Sequence, residues 1–339
     1  MNPHSTKDTA PSRRDKARDN ARDNAREPRS SARANARANA RSGAQSREQS
    51  REEAGEREDQ RRAAEEEGRV PSDAPIASEA LQTAFHKTMQ EGEQRLARSL
   101  PALLATGAVG GIDVGMGVLG LLLVLTLTGN EVAGALAFGI GFIALTLANS
   151  ELFTENFLVP IAPIAAGRAR VRSLLRLWLG TLIMNLIGGW IITLIVDAAL
   201  PEVRPVAITL GERFVHQGIG TTSFASAVLG GVVITLMTWM ERGTDSVVAK
   251  IIAAEVAAFL LAAGHLNHAI VASLEMFAAL HAGATFGYLT WLKLLGWAVL
   301  GNVVGGVLFV TVLRLVQVGA HTIRVERHRA QRERPDLSI

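Results

Sequence analysis

A bilayer core of roughly 30 Å takes about 20 consecutive apolar residues of helix. This chain supplies six such stretches, at 102–128, 131–166, 173–199, 218–240, 248–281 and 289–316. Only helices and closed barrels satisfy their own backbone in lipid, so stretches of this length predict an all-α integral membrane fold. The second and fifth stretches are too long for one plain span. Each is interrupted by polar residues, ANSELFTENF at 148–157 and GHLNHAIVAS at 264–273. Irregular backbone at that depth is tolerated only where protein or a watery cavity surrounds it, so the two interruptions predict a broken second and a broken fifth helix.

Loop charge sets the orientation. Arg168, Arg170, Arg172 and Arg176 follow the second stretch, Arg242 and Lys250 the fourth, and Arg314, Arg324, Arg327, Arg329, Arg332 and Arg334 end or follow the sixth. The opposite side offers Arg204 and Arg213, with Lys293 near it. The positive-inside bias puts both termini in the cytoplasm, as an even number of spans requires.

The spans are preceded by a different kind of sequence. Residues 1–75 run on Arg, Ala, Asn, Asp, Ser and Glu, with repeats such as ARDNARDNARE and ARANARANARSG. So little apolar surface cannot offset chain entropy, and a disordered cytoplasmic tail is expected. Its arginines suit contact with anionic lipid or RNA, although a solvated tail is the plainer reading. No early apolar run of the kind a cleaved signal carries is expected there. Residues 76–99 form the next unit. Ile76, Leu81, Phe85, Met89 and Leu96 share one helical face, which predicts an amphipathic helix lying along the cytoplasmic surface. Residues 100–317 hold the six-span transport domain, and 318–339 a basic cytoplasmic tail.

The transport domain repeats. MNLIGGWIITLI at 184–195 and GNVVGGVLFVTV at 301–312 each run an Asn, two apolar residues and then Gly-Gly, in the third span of a three-span unit. Three spans per unit make the second copy inverted. Asn185 and Asn302 are 117 positions apart, and the same step carries Glu151 to His268. The two interruptions therefore fall at corresponding places. Inverted repeats set their sites at such breaks, near the bilayer midplane.

ELFTENF, the N-x-x-GG pairs and the histidine-bearing second break resemble the formate/nitrite transporter family over roughly residues 77–316, as a branch apart from its formate and nitrite members. The resemblance implies an aquaporin-like protomer of two inverted three-helix repeats. It implies a homopentamer in the bacterial inner membrane, with one pore per subunit for small monovalent anions such as formate, nitrite or hydrosulfide. It assigns Thr154 and His268 to the central pore. Leu152, Phe153 and Leu261 become its apolar constrictions, and Asn185 and Asn302 its supports. Residues 76–98 match a cytoplasmic helix associated with gating. No cofactor is implied. The family's vestibule lysine has no counterpart here, since Arg213 and His216 are offset from it. Its asparagine in span four stands as Gly231, and the one after the central histidine as Ala272, beside Ser273.

Other polar residues need accounts of their own. An unperturbed histidine titrates at about 6.5, so His268 can lend an anion a proton or a hydrogen bond. His265, three residues away, is read as sharing nearly the same helical face. Two histidines without a third ligand do not make a metal site, and His265 with Asn267 and Glu151 is assigned to supporting the pore. Pairing of His265 with Glu255 or Glu275 is one option, and pairing of Asp113 with His265 or a break-loop amide another. Asp113, Glu155, Glu255 and Glu275 are extra acids near membrane depth, each costing about 3 kcal/mol at a helix centre unless paired or wet.

Those acids sustain a second reading, a proton-coupled transporter or cation pathway. A membrane anchor presenting the basic tail is a third, and an aquaporin-type neutral channel is disfavoured without an NPA tripeptide. No enzyme is expected. The chain has no cysteine, no HExxH pair, and no nucleophile elbow or phosphate loop in a suitable context.

Overall fold

The computed structural model describes residues 79–332, all of them helix or connection. The tail read from residues 1–75, Ile76 and the last seven residues lie outside the described part.

Among the described residues, twelve α-helices follow one another: α1 (Glu79–Ala97), α2 (Leu100–Thr128), α3 (Glu131–Ala148), α4 (Ile161–Ala165), α5 (Val171–Ala199), α6 (Arg204–Gln217), α7 (Thr221–Arg242), α8 (Val247–Ala263), α9 (Ala269–His281), α10 (Tyr288–Val303), α11 (Leu313–Val318) and α12 (Ala320–Arg332). A π-helical segment, Val304–Val312, joins α10 to α11 into one rod. Among the described residues, five helices are long and apolar enough to cross a membrane: α2, α3, α5, α7 and the rod Tyr288–Val318.

Local signals set the ends. Asn130 caps α3, its side chain accepting the Ala133 N–H at 3.0 Å, and Asn149 closes α3 in the left-handed region at φ 53°. Gly129 ends α2 in the same conformation, and Ser246 caps α8.

Chain 149–160 separates α3 from α4 and contains a 3₁₀ turn, Phe153–Phe157. Chain 264–268 separates α8 from α9. Both breaks lie inside one packed core that includes Leu152, Phe153, Phe157, Leu261 and Ile270. Around it α2 packs closely on α3 and α5, α8 on α3, α9 on α6 and α5, and α7 on α10 and the π segment. The opposite face of α5 carries Leu175, Leu179, Ile183, Ile187 and Ile191 outward. That spacing is an apolar stripe facing away from the protein, suited to lipid or another copy.

Three expectations change. The described part of 76–98, from Glu79 on, does not simply lie on a surface. Phe85, Met89 and Leu96 of α1 are buried against the protein, and so is the charged side chain of Arg95. Chain 200–217, read as a loop, is mostly α6, packed on α9. The start of the 318–339 tail is the helix α12, tied back when Arg168 bridges Glu93 of α1 and Glu326 of α12.

Candidate functional site: two helix breaks meeting at a threonine and a histidine

The two breaks touch through their polar groups. Thr154 Oγ1 lies 2.7 Å from His268 Nε2, and both side chains are fully buried. His268 caps α9, its Nδ1 accepting the Val271 N–H at 3.3 Å. A neutral imidazole has one donor and one acceptor nitrogen. With Nδ1 accepting, Nε2 carries the proton and donates to Thr154 Oγ1. The threonine hydroxyl hydrogen is then left for a third group.

Each break is pinned by an asparagine from a neighbouring helix. Asn185 Oδ1 accepts the Phe153 N–H at 2.8 Å, while its Nδ2 donates to the Gly107 and Glu151 carbonyls at 2.7 and 2.8 Å. Asn302 Oδ1 accepts the Ala269 N–H at 2.8 Å, and its Nδ2 donates to the Ala227 and Asn267 carbonyls at 2.7 and 3.0 Å. These bonds answer the backbone groups that the helix breaks would otherwise leave unpaired.

The two sets also fix the correspondence between halves. Glu151 aligns with Asn267, not with His268, because the second half carries one residue more between its break and its asparagine. His268 therefore matches Leu152, and Thr154 and His268 are not equivalent residues.

Gly111 and Gly231 make the same contact in each half. A methyl at either would overlap the carbonyl oxygen of Asn185 or Asn302. Gly231, read as a departure in span four, is thus required by the close approach of α7 to α10.

The assigned constriction residues Leu152, Phe153 and Leu261 are buried in the shared core. Phe153 also stacks edge-on to Phe157 and Trp178, at centroid distances of 5.0 and 6.3 Å. Thr311 in the π segment donates to the Phe157 carbonyl at 2.6 Å, holding the first break from its other side. Asn267 contributes its main chain, its N–H donating to Ser226 Oγ at 2.9 Å.

His265 does not share a helical face with His268, because chain 264–268 is not helical. It has a left-handed backbone at φ 45°, and its Nε2 lies 3.6 Å from Glu131 Oε2. Glu131 in turn pairs with Arg213 at 3.2 Å. The pairings considered with Glu255 and Glu275 are not the ones formed. Asp113 is bonded instead to the Ser150 hydroxyl in the first break, at 2.5 Å.

A charge network at the α1 end escaped the sequence reading. Arg95 contacts Glu91 at 2.7 Å, Glu155 at 3.2 Å, Glu151 at 3.4 Å and Asn156 Oδ1 at 3.0 Å. Arg98 also pairs with Glu151, and Arg242 with Glu91 at 2.6 Å. Burial works against the Arg95 charge, but Glu151, Glu91 and Glu155 outweigh it and hold its pKa above the ordinary value. Burial likewise opposes ionisation of Glu91, yet Arg95 and Arg242 keep its pKa below the usual carboxylate range. The acids Glu151 and Glu155 are therefore paired, which offsets part of their cost at depth.

Comparison with known proteins agrees with this architecture. The profile of the formate/nitrite transporter family matches residues 82–316. Inner membrane protein YfdC of Escherichia coli (strain K12) is 28% identical over 221 residues, 62% of this chain and 68% of YfdC. Formate channel BtFdhC of Bacillus thuringiensis is 27% identical over 252 residues, 67% of this chain and 93% of the channel. Among solved structures, an FNT family ion channel superposes with a TM-score of 0.61 at 20% identity, covering 69% of this chain and 98% of its own. A pentameric formate channel with formate bound gives 0.54 at 19% identity, covering 64% and 96%. The profile spans well over half of the sequence, and the chain belongs to the formate/nitrite transporter family, a family of transporters and not of enzymes.

Proposed function

We propose that this protein conducts small monovalent anions of weak acids, of the formate, nitrite or hydrosulfide kind, with a proton supplied at His268. The observation that carries the reading is the Thr154–His268 hydrogen bond between the two breaks. With Nε2–H donated to Thr154, the threonine hydroxyl is free to meet an anion. A second proton, taken at Nδ1, would turn that nitrogen into a donor and release the cap of α9. Passing the Nε2 proton through the Thr154 hydroxyl to the solute would leave a neutral ring protonated at Nδ1, which caps α9 again once Nδ1 loses its proton and Nε2 regains one. The neutral acid would pass Leu152, Phe153 and Leu261 without carrying charge through an apolar wall.

The wider reading has six spans in two inverted repeats, an aquaporin-like protomer, with α8 and α9 together as the fifth span. The matched asparagine bonds support it. The α1 end is cytoplasmic on the arginine bias of the loops, which puts both termini there. The outward stripe of α5 and the pentameric relative support a homopentamer in an inner membrane. A carboxylate-lined cation pathway is the rival, and the pairing of Glu155 with Arg95 weakens it.

Uptake of formate, nitrite and hydrosulfide into liposomes at two pH values, beside potassium flux, tests the proposal. Anion uptake that rises at acid pH and vanishes in His268→Phe is the expected result. Potassium flux without anion flux would transfer the case to the cation pathway.

A further inference from the structure

The end of the bundle that carries α1 opens into a cavity of about 460 Å³. Two sources line it. The body of the protein contributes four carboxylates, Glu151, Glu155, Glu241 and Asp245, against two cations, Arg242 and Lys250. Helix α1 and the turn after it contribute three cations, Lys87, Arg95 and Arg98, against one carboxylate, Glu91. With every lining side chain ionised, the body's share is net negative by two charges and α1's net positive by two, so such a lining is neutral only with α1 in place.

The match is also local. The two deepest acids, Glu151 and Glu155, flank Thr154 in the chain and are almost wholly buried. Their ionic partners, Arg95 and Arg98, come from α1 and its following turn. Burial leaves these charges little screened by salt. A cleft lined by one sign of charge concentrates the opposite ion and repels its own. Stripped of α1, this cavity, which ends at the acids beside Thr154, would repel anions.

We propose that Arg95 and Arg98 set the charge selectivity of this mouth, so that a docked α1 admits anions and an undocked α1 favours cations. The inference rests on the anion reading above. It gives α1 the opposite sign from a plug, whose removal would raise anion flux. It also accounts for acids beside the central pair of an anion pathway, because each is matched by a cation delivered from another helix.

The test uses the full chain in planar bilayers, with the formate-to-potassium permeability ratio read from reversal potentials. Arg95→Gln should lower that ratio by about tenfold or more, the scale on which a charged cleft enriches its counter-ion. Arg95→Lys should keep it, and adding Glu155→Gln to Arg95→Gln should bring it back toward the wild-type value. A ratio unchanged in Arg95→Gln, or formate permeability that rises in that variant, overturns the proposal. If Arg95→Gln does not assemble, Glu155→Gln alone decides, since an uncompensated Arg95 should raise the ratio, and a fall or no change refutes it. A wild-type protein that passes no formate instead overturns the anion reading, before any variant is made.

Discussion

Thr154 Oγ1 and His268 Nε2 stand 2.7 Å apart although 114 positions separate them in the chain. Each residue lies in a helix break, and each break is held by an asparagine from a neighbouring span. The hydrogen bond is therefore placed by scaffolding that does not include the two residues themselves.

Removing the hydroxyl tests the pair. Thr154→Val keeps the volume but leaves His268 Nε2 without its partner, and a net hydrogen bond is worth about 1 kcal/mol, with more lost when a buried partner is stranded. Anion uptake should fall on the order of tenfold. Thr154→Ser, which keeps the oxygen, should stay near wild type in the same assay.

Asn185→Leu and Asn302→Leu should each destabilise the protein. Either one strands a buried N–H and two carbonyls, at about 1–3 kcal/mol per unsatisfied group. Thermal unfolding in detergent should show a clear drop for each. A single variant that unfolds at the wild-type temperature would count against the pinning role.

Seating of α1 depends on one missing methyl. A Cβ at Gly92 would overlap the Val159 carbonyl oxygen and crowd Pro163. Gly92→Val should lift α1 from its seat at a cost of about 1–3 kcal/mol, the usual range for overpacking. Limited proteolysis should then cut within 79–97 sooner than in the wild type.

Docking of α1 should also depend on pH. Arg95 and Arg242 hold Glu91 below its ordinary value of 4.5 despite its burial, and Lys87 holds Asp245 below 3.8. A depressed carboxylate contributes fully above its undocked pKa and loses that contribution as pH falls through the lowered one. Thus these two carboxylates should hold α1 at neutral pH and release it below the ordinary carboxylate range. The chain has no cysteine, so a spin label on Thr83→Cys, at an exposed position of α1, can report it. Loosening near neutral pH would contradict this assignment.

Most of the scaffold was legible because lipid is a simple solvent. Long apolar runs gave the spans to within a few residues, and polar interruptions gave both breaks. The one-residue error in matching the halves arose because a fixed sequence step cannot see an extra residue between a break and its asparagine. Helix α6 was missed because its residues 204–217 are too polar and too short to read as a span. The Arg95 network was missed because a buried arginine looks like part of a charged face. A signal was present, since Ala84, Thr88 and Gly92 are small residues leading along one face to Arg95, and acids at depth require a cation. Helical spacing alone does not say which arginine answers them.

Asn185 and Asn302 grip only main-chain atoms: two carbonyls and one N–H each. Every residue type offers those same groups, proline's absent N–H aside. The shape of the breaks is thereby uncoupled from the identity of the side chains they present. A lineage could exchange those side chains one at a time, and so acquire a new solute, while inheriting the frame that displays them unchanged.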